Sequence, residues 1–178
     1  MMRVDLVTLL AGATFFAFLW ALAALHKALN WSMYRDQLRD YRVLPEAAVF
    51  WFALLLPIVE AALAFSWLFD DSRGWAVMAT AVLLLAYAAA MAYNLMHGRD
   101  SIDCGCGGAG QAIRWGLVTR NLVLAVAAIS LGLLEPVALR PLLWMDYVTI
   151  AAAALAIYAF YIICNQLLAN NPPQRWVR

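Results

Sequence analysis

The chain has 178 residues, 66% of them hydrophobic and only 13% charged, with a formal net charge of +1. An average soluble domain carries about 25% charged residues. That composition argues against a soluble globular protein, and no basic patch of the kind that nucleic-acid binding needs is present.

In chain order, the apolar residues fall into runs that almost exclude charge. The sequence predicts spans at about 6–29, 48–69, 75–96, 117–134 and 147–168. Each is close to or above the 17 to 25 residues that cross roughly 30 Å of hydrocarbon as a helix. Helix is required there, because backbone groups facing lipid must satisfy one another. The first run follows Arg3 as a signal peptide would, but it is too long, lacks a small-residue cleavage site and continues into "HKALNW". It is read as the first transmembrane helix. The fourth run is the shortest, and "LLEPVALRPLLWMD" behind it carries two prolines and belongs at the membrane interface. No repeat and no linker divides the chain, so residues 1–178 are expected to form one membrane domain, an all-α polytopic bundle in the lipid bilayer.

The loop over 97–116 interrupts this pattern with "DCGCGGAG". Residues two apart on a helix point about 200° apart, so Cys104 and Cys106 can meet only in non-helical backbone. Gly105, Gly107 and Gly108 supply the conformational freedom for such a turn. Three readings stand side by side: a redox-active pair, a soft-metal clip for Cu(I) or Hg(II), and ordinary thiols in a turn. A disulfide across one residue would close a strained ring, which makes it a labile oxidant. Two thiolates alone give an incomplete zinc set but suit softer ions. Cys164 lies in an apolar run, where a free cysteine packs well. With five spans it returns to the cysteine-loop face, where it would serve as a resolving thiol or a third metal ligand.

Five spans also gather the intramembrane polar residues. His26 and Lys27 close the first span on the cysteine-loop side, Asn94 closes the third, and Arg120 and Asn121 open the fourth. Glu60 is about twelve residues into the second span, roughly 18 Å along a helix from that end. Polar groups in lipid are costly and turn inward, so these residues are expected to form a polar vestibule above a buried carboxylate, with Lys27 as its ion-pair partner. The bland readings are a helix-end hydrogen bonder for His26 and a neutral packing residue for Glu60. Charge distribution opposes one placement of this site. The cysteine-loop face carries nine Lys and Arg residues against three on the other face, which by the positive-inside rule puts it in the cytoplasm.

The segments "ALHKAL" with Lys27, "YRVLP", "LPIVE" with Glu60, "IDCGCGG" with Cys104 and Cys106, and Trp115 with "VTRN" resemble, in this order and spacing, the MauE family of methylamine-utilisation clusters, within the broader DoxX-like group. The resemblance covers most of residues 20 to 125. It implies five spans around a four-helix core in the bacterial inner membrane, with the cysteine loop on the periplasmic side despite the charge count. It also implies thiol–disulfide exchange by Cys104 and Cys106 with a periplasmic thioredoxin-like partner, serving a disulfide-containing substrate protein such as the methylamine dehydrogenase small subunit. A membrane quinone would be the electron carrier. Glu60, Lys27, Arg120 and Asn121 are the matched polar residues. The chain departs from familiar thiol oxidoreductases in having CxC in place of CxxC and no thioredoxin fold of its own.

Overall fold

The structure, a computed structural model, describes residues 2–99, 102, 112–137 and 140–170, without the side chains at 2, 3, 169 and 170. Six helices and two short strands follow one another: β1 (Met2–Asp5), α1 (Leu6–Leu29), α2 (Trp31–Asp40), α3 (Glu46–Ser66), α4 (Asp70–Met96), α5 (Trp115–Gly132), β2 (Leu134–Val137) and α6 (Trp144–Asn170). Five of them, α1, α3, α4, α5 and α6, are long and apolar enough to cross a membrane. The chain is an all-α multi-pass membrane protein.

The spans begin earlier than the apolar runs suggest at α3, α4, α5 and α6. In α4 the polar stretch Asp70, Asp71, Ser72 and Arg73 joins the helix. Carboxylates in a first turn are favoured by the positive end of the helix dipole. Two features have no counterpart in the sequence reading. The amphipathic helix α2 buries Tyr34 and Gln37 and exposes Asp36, Arg39 and Asp40. It ends through Arg42 at φ 49°, a left-handed position that glycine usually fills. Strands β1 and β2 pair in parallel, Met2 opposite Leu134 and Asp5 opposite Val137, and tie the start of α1 to the end of α5.

Packing is closest between α4 and α5 and between α1 and its neighbours α3 and α6. The result is a four-helix core of α1, α3, α4 and α5, with α6 against the outside of α1. At the end bearing the α3–α4 turn, the core is aromatic. Phe16 stacks on Trp67 with centroids 4.8 Å apart. The indole N–H groups of Trp20 and Trp67 both donate to Thr80 Oγ1, each at 2.9 Å. One hydroxyl oxygen thereby joins α1, α3 and α4, using both of its lone pairs. Trp20 is thus a buried core residue, whereas Trp51, Trp75, Trp115 and Trp144 are exposed at or near helix ends.

At the other end, Met91, Ile113, Leu117 and Val118 form a second buried cluster, joined by Tyr41, Tyr87, Ile102 and Leu168. It brings together the C-terminal halves of α4 and α6 and the start of α5, as an odd number of crossings requires. Gly116 makes room for α6, since a Cβ there would lie 2.7 Å from Leu168 Cδ2.

Candidate functional site

The strongest polar feature of the bundle is a buried ion pair. Lys27 Nζ donates to both oxygens of Glu60, at 2.6 and 2.8 Å, and Tyr87 Oη donates to Oε1 at 2.6 Å. Glu60 is 0% exposed and Lys27 7%. The sequence expectation of this pairing is met, and three helices contribute to it: Lys27 from the last turns of α1, Glu60 from α3, Tyr87 from α4. Pro57, buried one turn before Glu60 inside α3, removes a backbone donor there. The ammonium lies 5.6 Å from the ring centroids of both Tyr34 and Tyr87. Two aromatic faces therefore add cation–π attraction to a bidentate bond.

Tyr34 and Tyr87 are the residues that sequence reasoning missed. Tyrosine is unremarked in an apolar run such as α4, and Tyr34 sits in a stretch dominated by charge. The available signal was helical spacing: Trp31, Tyr34 and Leu38 lie three and four residues apart on one face of "WSMYRDQLRD". Burial, reinforced by the Glu60 carboxylate, raises the Tyr34 phenol well above its usual pKa, so it remains a neutral donor. Its hydroxyl finds no hydrogen-bond partner among the described residues.

A second polar group stands where α5 begins. Arg120 Nη2 and Nε donate to Asn121 Oδ1 at 3.1 and 3.3 Å. Arg120 also donates to Asn165 Oδ1 on α6 and lies 5.7 Å from the Tyr161 ring. Asn121 is 2% exposed, and its Nδ2 is unpartnered among the described residues. Asn165 follows Cys164, which is half-buried and not in a disulfide. Asn94 is fully buried, donates to Ala90 O at 3.0 Å and accepts from Arg99 at 3.4 Å. His26 is half-exposed, and its carbonyl accepts from the Asn30 amide side chain. Of the expected vestibule residues, Lys27 joins Glu60 and Asn121 joins Arg120, whereas Asn94 bonds to Ala90 and Arg99 and His26 to Asn30.

Cys104, Cys106, Gly105, Gly107 and Gly108 lie outside the described residues. The neck of their loop does not: Ile113 N–H donates to Ile102 O at 2.9 Å. Both residues belong to the second apolar cluster. The loop therefore starts and ends on the same cluster that holds Tyr87, and Leu168, one turn beyond Cys164, packs there too.

A five-span bundle with a buried Lys–Glu pair defines a polytopic membrane protein with a polar centre. The model of the family described as methylamine utilisation protein MauE matches residues 5–135, and the chain belongs to that family. It is 38% identical over 148 residues to the methylamine utilization protein MauE of Paracoccus denitrificans, covering 82% of this chain and 80% of the relative. The Paracoccus versutus protein of the same name is 35% identical over 156 residues, covering 86% and 83%. That of Methylorubrum extorquens is 35% identical over 126 residues, covering 70% and 68%. No solved structure matches the chain significantly. The family match includes Lys27, Glu60, Cys104, Cys106 and Arg120 and stops before α6, so Cys164 and Asn165 fall beyond it.

Proposed function

We propose that this chain is an inner-membrane thiol–disulfide relay that supports maturation of a disulfide-containing periplasmic protein in methylamine utilisation. Cys104 and Cys106 are the exchanging pair, and a periplasmic thioredoxin-like protein is the partner. In one exchange, a thiolate of the partner attacks the Cys104–Cys106 disulfide and forms a mixed disulfide. The partner's second thiolate then attacks its own sulfur and releases the chain as a dithiol. Two electrons and two protons have moved from partner to chain, and the reverse sequence reduces the partner.

The observation that carries this reading is the anchoring of the loop. Its neck at Ile102 and Ile113 is fixed on a packed cluster that runs to Tyr87, whose hydroxyl is bonded to Glu60. The thiol segment is thus joined at its neck to a packed base, and exchange requires a free line of approach for the partner sulfur. At the same end of the bundle, the Glu60 carboxylate bonded to Tyr87 is the group assigned to take up the protons that accompany thiol oxidation. The family name adds the process, and the CxC motif adds the chemistry.

Trapping tests it. With Cys104 and Cys106 changed to alanine one at a time, one variant should accumulate a mixed disulfide with a periplasmic thioredoxin-like protein, visible on non-reducing gels and lost on reduction. Two variants that reach wild-type levels in the membrane yet trap no partner overturn the relay.

A further inference from the structure

A cavity of about 270 Å³ lies against the Lys27–Glu60 pair. Its walls come from the end of α1, from α2 and the 41–44 connection that follows it, and from the facing sides of α3 and α4. Those two helices pack on each other far less closely than α3 packs on α1. Phe52 on α3 and Ala86 on α4 line the cavity and are exposed on the outer surface of the bundle. In a bilayer that surface meets acyl chains, so the cavity opens to lipid between α3 and α4. Its lining is mostly apolar apart from the Lys27 ammonium, the hydroxyls of Tyr34, Tyr41 and Tyr87 and the amide of Gln37.

Two of these groups point to a ligand. Tyr34 is 5% exposed, lines the cavity and has a hydroxyl with no partner among the described residues. A buried, unpaired hydroxyl is costly, and a ligand oxygen would relieve it. The Lys27 ammonium has three N–H groups, of which Glu60 takes two, so one remains to offer. The charge at this end is already balanced, because Glu60 neutralises Lys27. An anionic head such as a phosphate or a fatty carboxylate would stand beside the Glu60 carboxylate and be repelled. A neutral ring with acceptor oxygens, flanked by the faces of Tyr34 and Tyr87, meets no such penalty. The volume is at the low end for small-molecule sites, about 300 Å³, and holds a head group whose tail stays in lipid.

We infer that this cavity binds the ring of an isoprenoid quinone, a ring oxygen accepting hydrogen bonds from Tyr34 and Lys27 while the tail leaves between α3 and α4. Resting on the relay reading, the quinone is the oxidant that regenerates the cysteine pair. Two thiols lose two electrons and two protons to become a disulfide, and the quinone gains both to become the quinol. Binding itself needs no thiol.

The test therefore uses the full chain with Cys104 and Cys106 both changed to alanine, in nanodiscs, with decylubiquinone as the probe and binding followed by equilibrium partition. Saturable binding is expected. Tyr34→Phe, which keeps the ring and removes the hydroxyl, should weaken it about tenfold, the equivalent of one hydrogen bond. Leu56→Trp, which fills the cavity from α3, should abolish it, and Ala86→Phe does the same from α4 should the first variant fail to fold. Absence of saturable binding overturns the inference. So does undiminished binding by Tyr34→Phe and the filled variants, or displacement by phosphatidylglycerol at equal concentration, which makes the cavity a phospholipid slot. Quinone binding without thiol oxidation in the wild type would sink the relay and leave this site standing. Thiol oxidation without quinone binding would do the reverse.

Discussion

Glu60 and Lys27 illustrate how a bilayer prices a charge. An isolated carboxylate at this depth would be driven to its neutral form, and an isolated ammonium would be drawn toward the interface. Together, bonded through both carboxylate oxygens and a tyrosine hydroxyl, they can stay buried as ions. Breaking a buried pair by removing one partner costs about 3–5 kcal/mol, whereas removing both and refilling the volume can be neutral. Lys27→Met and Glu60→Leu should therefore each lower the thermal stability of the detergent-solubilised protein, and the double variant should be more stable than either. A double variant as unstable as the sum of the two would show that the pair is not an energetic unit. Glu60→Gln separates support from chemistry. Its amide keeps the shape and can accept from Lys27 and Tyr87 through one oxygen, but it places a donor where the second carboxylate oxygen accepted from Lys27 and cannot exchange a proton as a carboxyl does. The expected outcome is a folded but less stable protein that still traps the partner, with slower oxidation of partner thiols per molecule in membranes. Wild-type turnover by Glu60→Gln would end the proton role and leave the cysteines untouched.

Helices are tied here by single polar atoms as much as by apolar surface, since lipid gives apolar side chains little reason to prefer each other. Thr80 Oγ1 accepts from Trp20 of α1 and from Trp67, the residue that caps α3. Thr80→Val keeps the shape but leaves two buried indole N–H groups unpaired. It should cost about 1–3 kcal/mol, while Thr80→Ser keeps the acceptor and most of the stability. Equal melting temperatures for the valine variant and the wild type would refute this. The five spans are legible in the sequence because hydrocarbon thickness imposes a length and a composition on each. So is the Lys27–Glu60 pair: within the predicted spans, acidic and basic side chains are so few that each invites a partner. What is not legible is α2, whose polar composition hides an inward face of Tyr34 and Gln37, and the β1–β2 pairing, which joins two four-residue segments far apart in sequence. The cavity is equally hidden, because it arises from the parting of α3 and α4 and no run of residues encodes it. His26 is half-exposed at the end of α1, where its carbonyl accepts from the Asn30 side chain.

Across the whole molecule, an odd number of crossings sets the ends of α1, α4 and α6 and the start of α5 on one face, and the second apolar cluster joins α4, α5 and α6 there. Which compartment this face meets is contested by two physical rules. Nine basic residues against three favour the cytoplasm. Two of the nine are spent inside the bundle, however: Lys27 on Glu60, and Arg120 on Asn121 and Asn165. Against the remaining excess stands the proposed chemistry, because exchange with the disulfides of a maturing protein belongs to an oxidising compartment. Reporter fusions at Gly108 and after Arg178 should both read periplasmic. Both reading cytoplasmic would uphold the charge count and end the periplasmic relay, whereas opposite readings would mean that α5 and α6 do not both cross. Arg35, Arg39 and Arg42 carry much of the opposing charge on the surface of α2 and the turn after it. Changing all three to glutamine reduces the count from nine to six against three and weakens that opposition, so both fusions should stay periplasmic with undiminished signal. Inversion in this triple variant would show that those arginines, by some route other than the positive-inside rule, had been holding the loop outside.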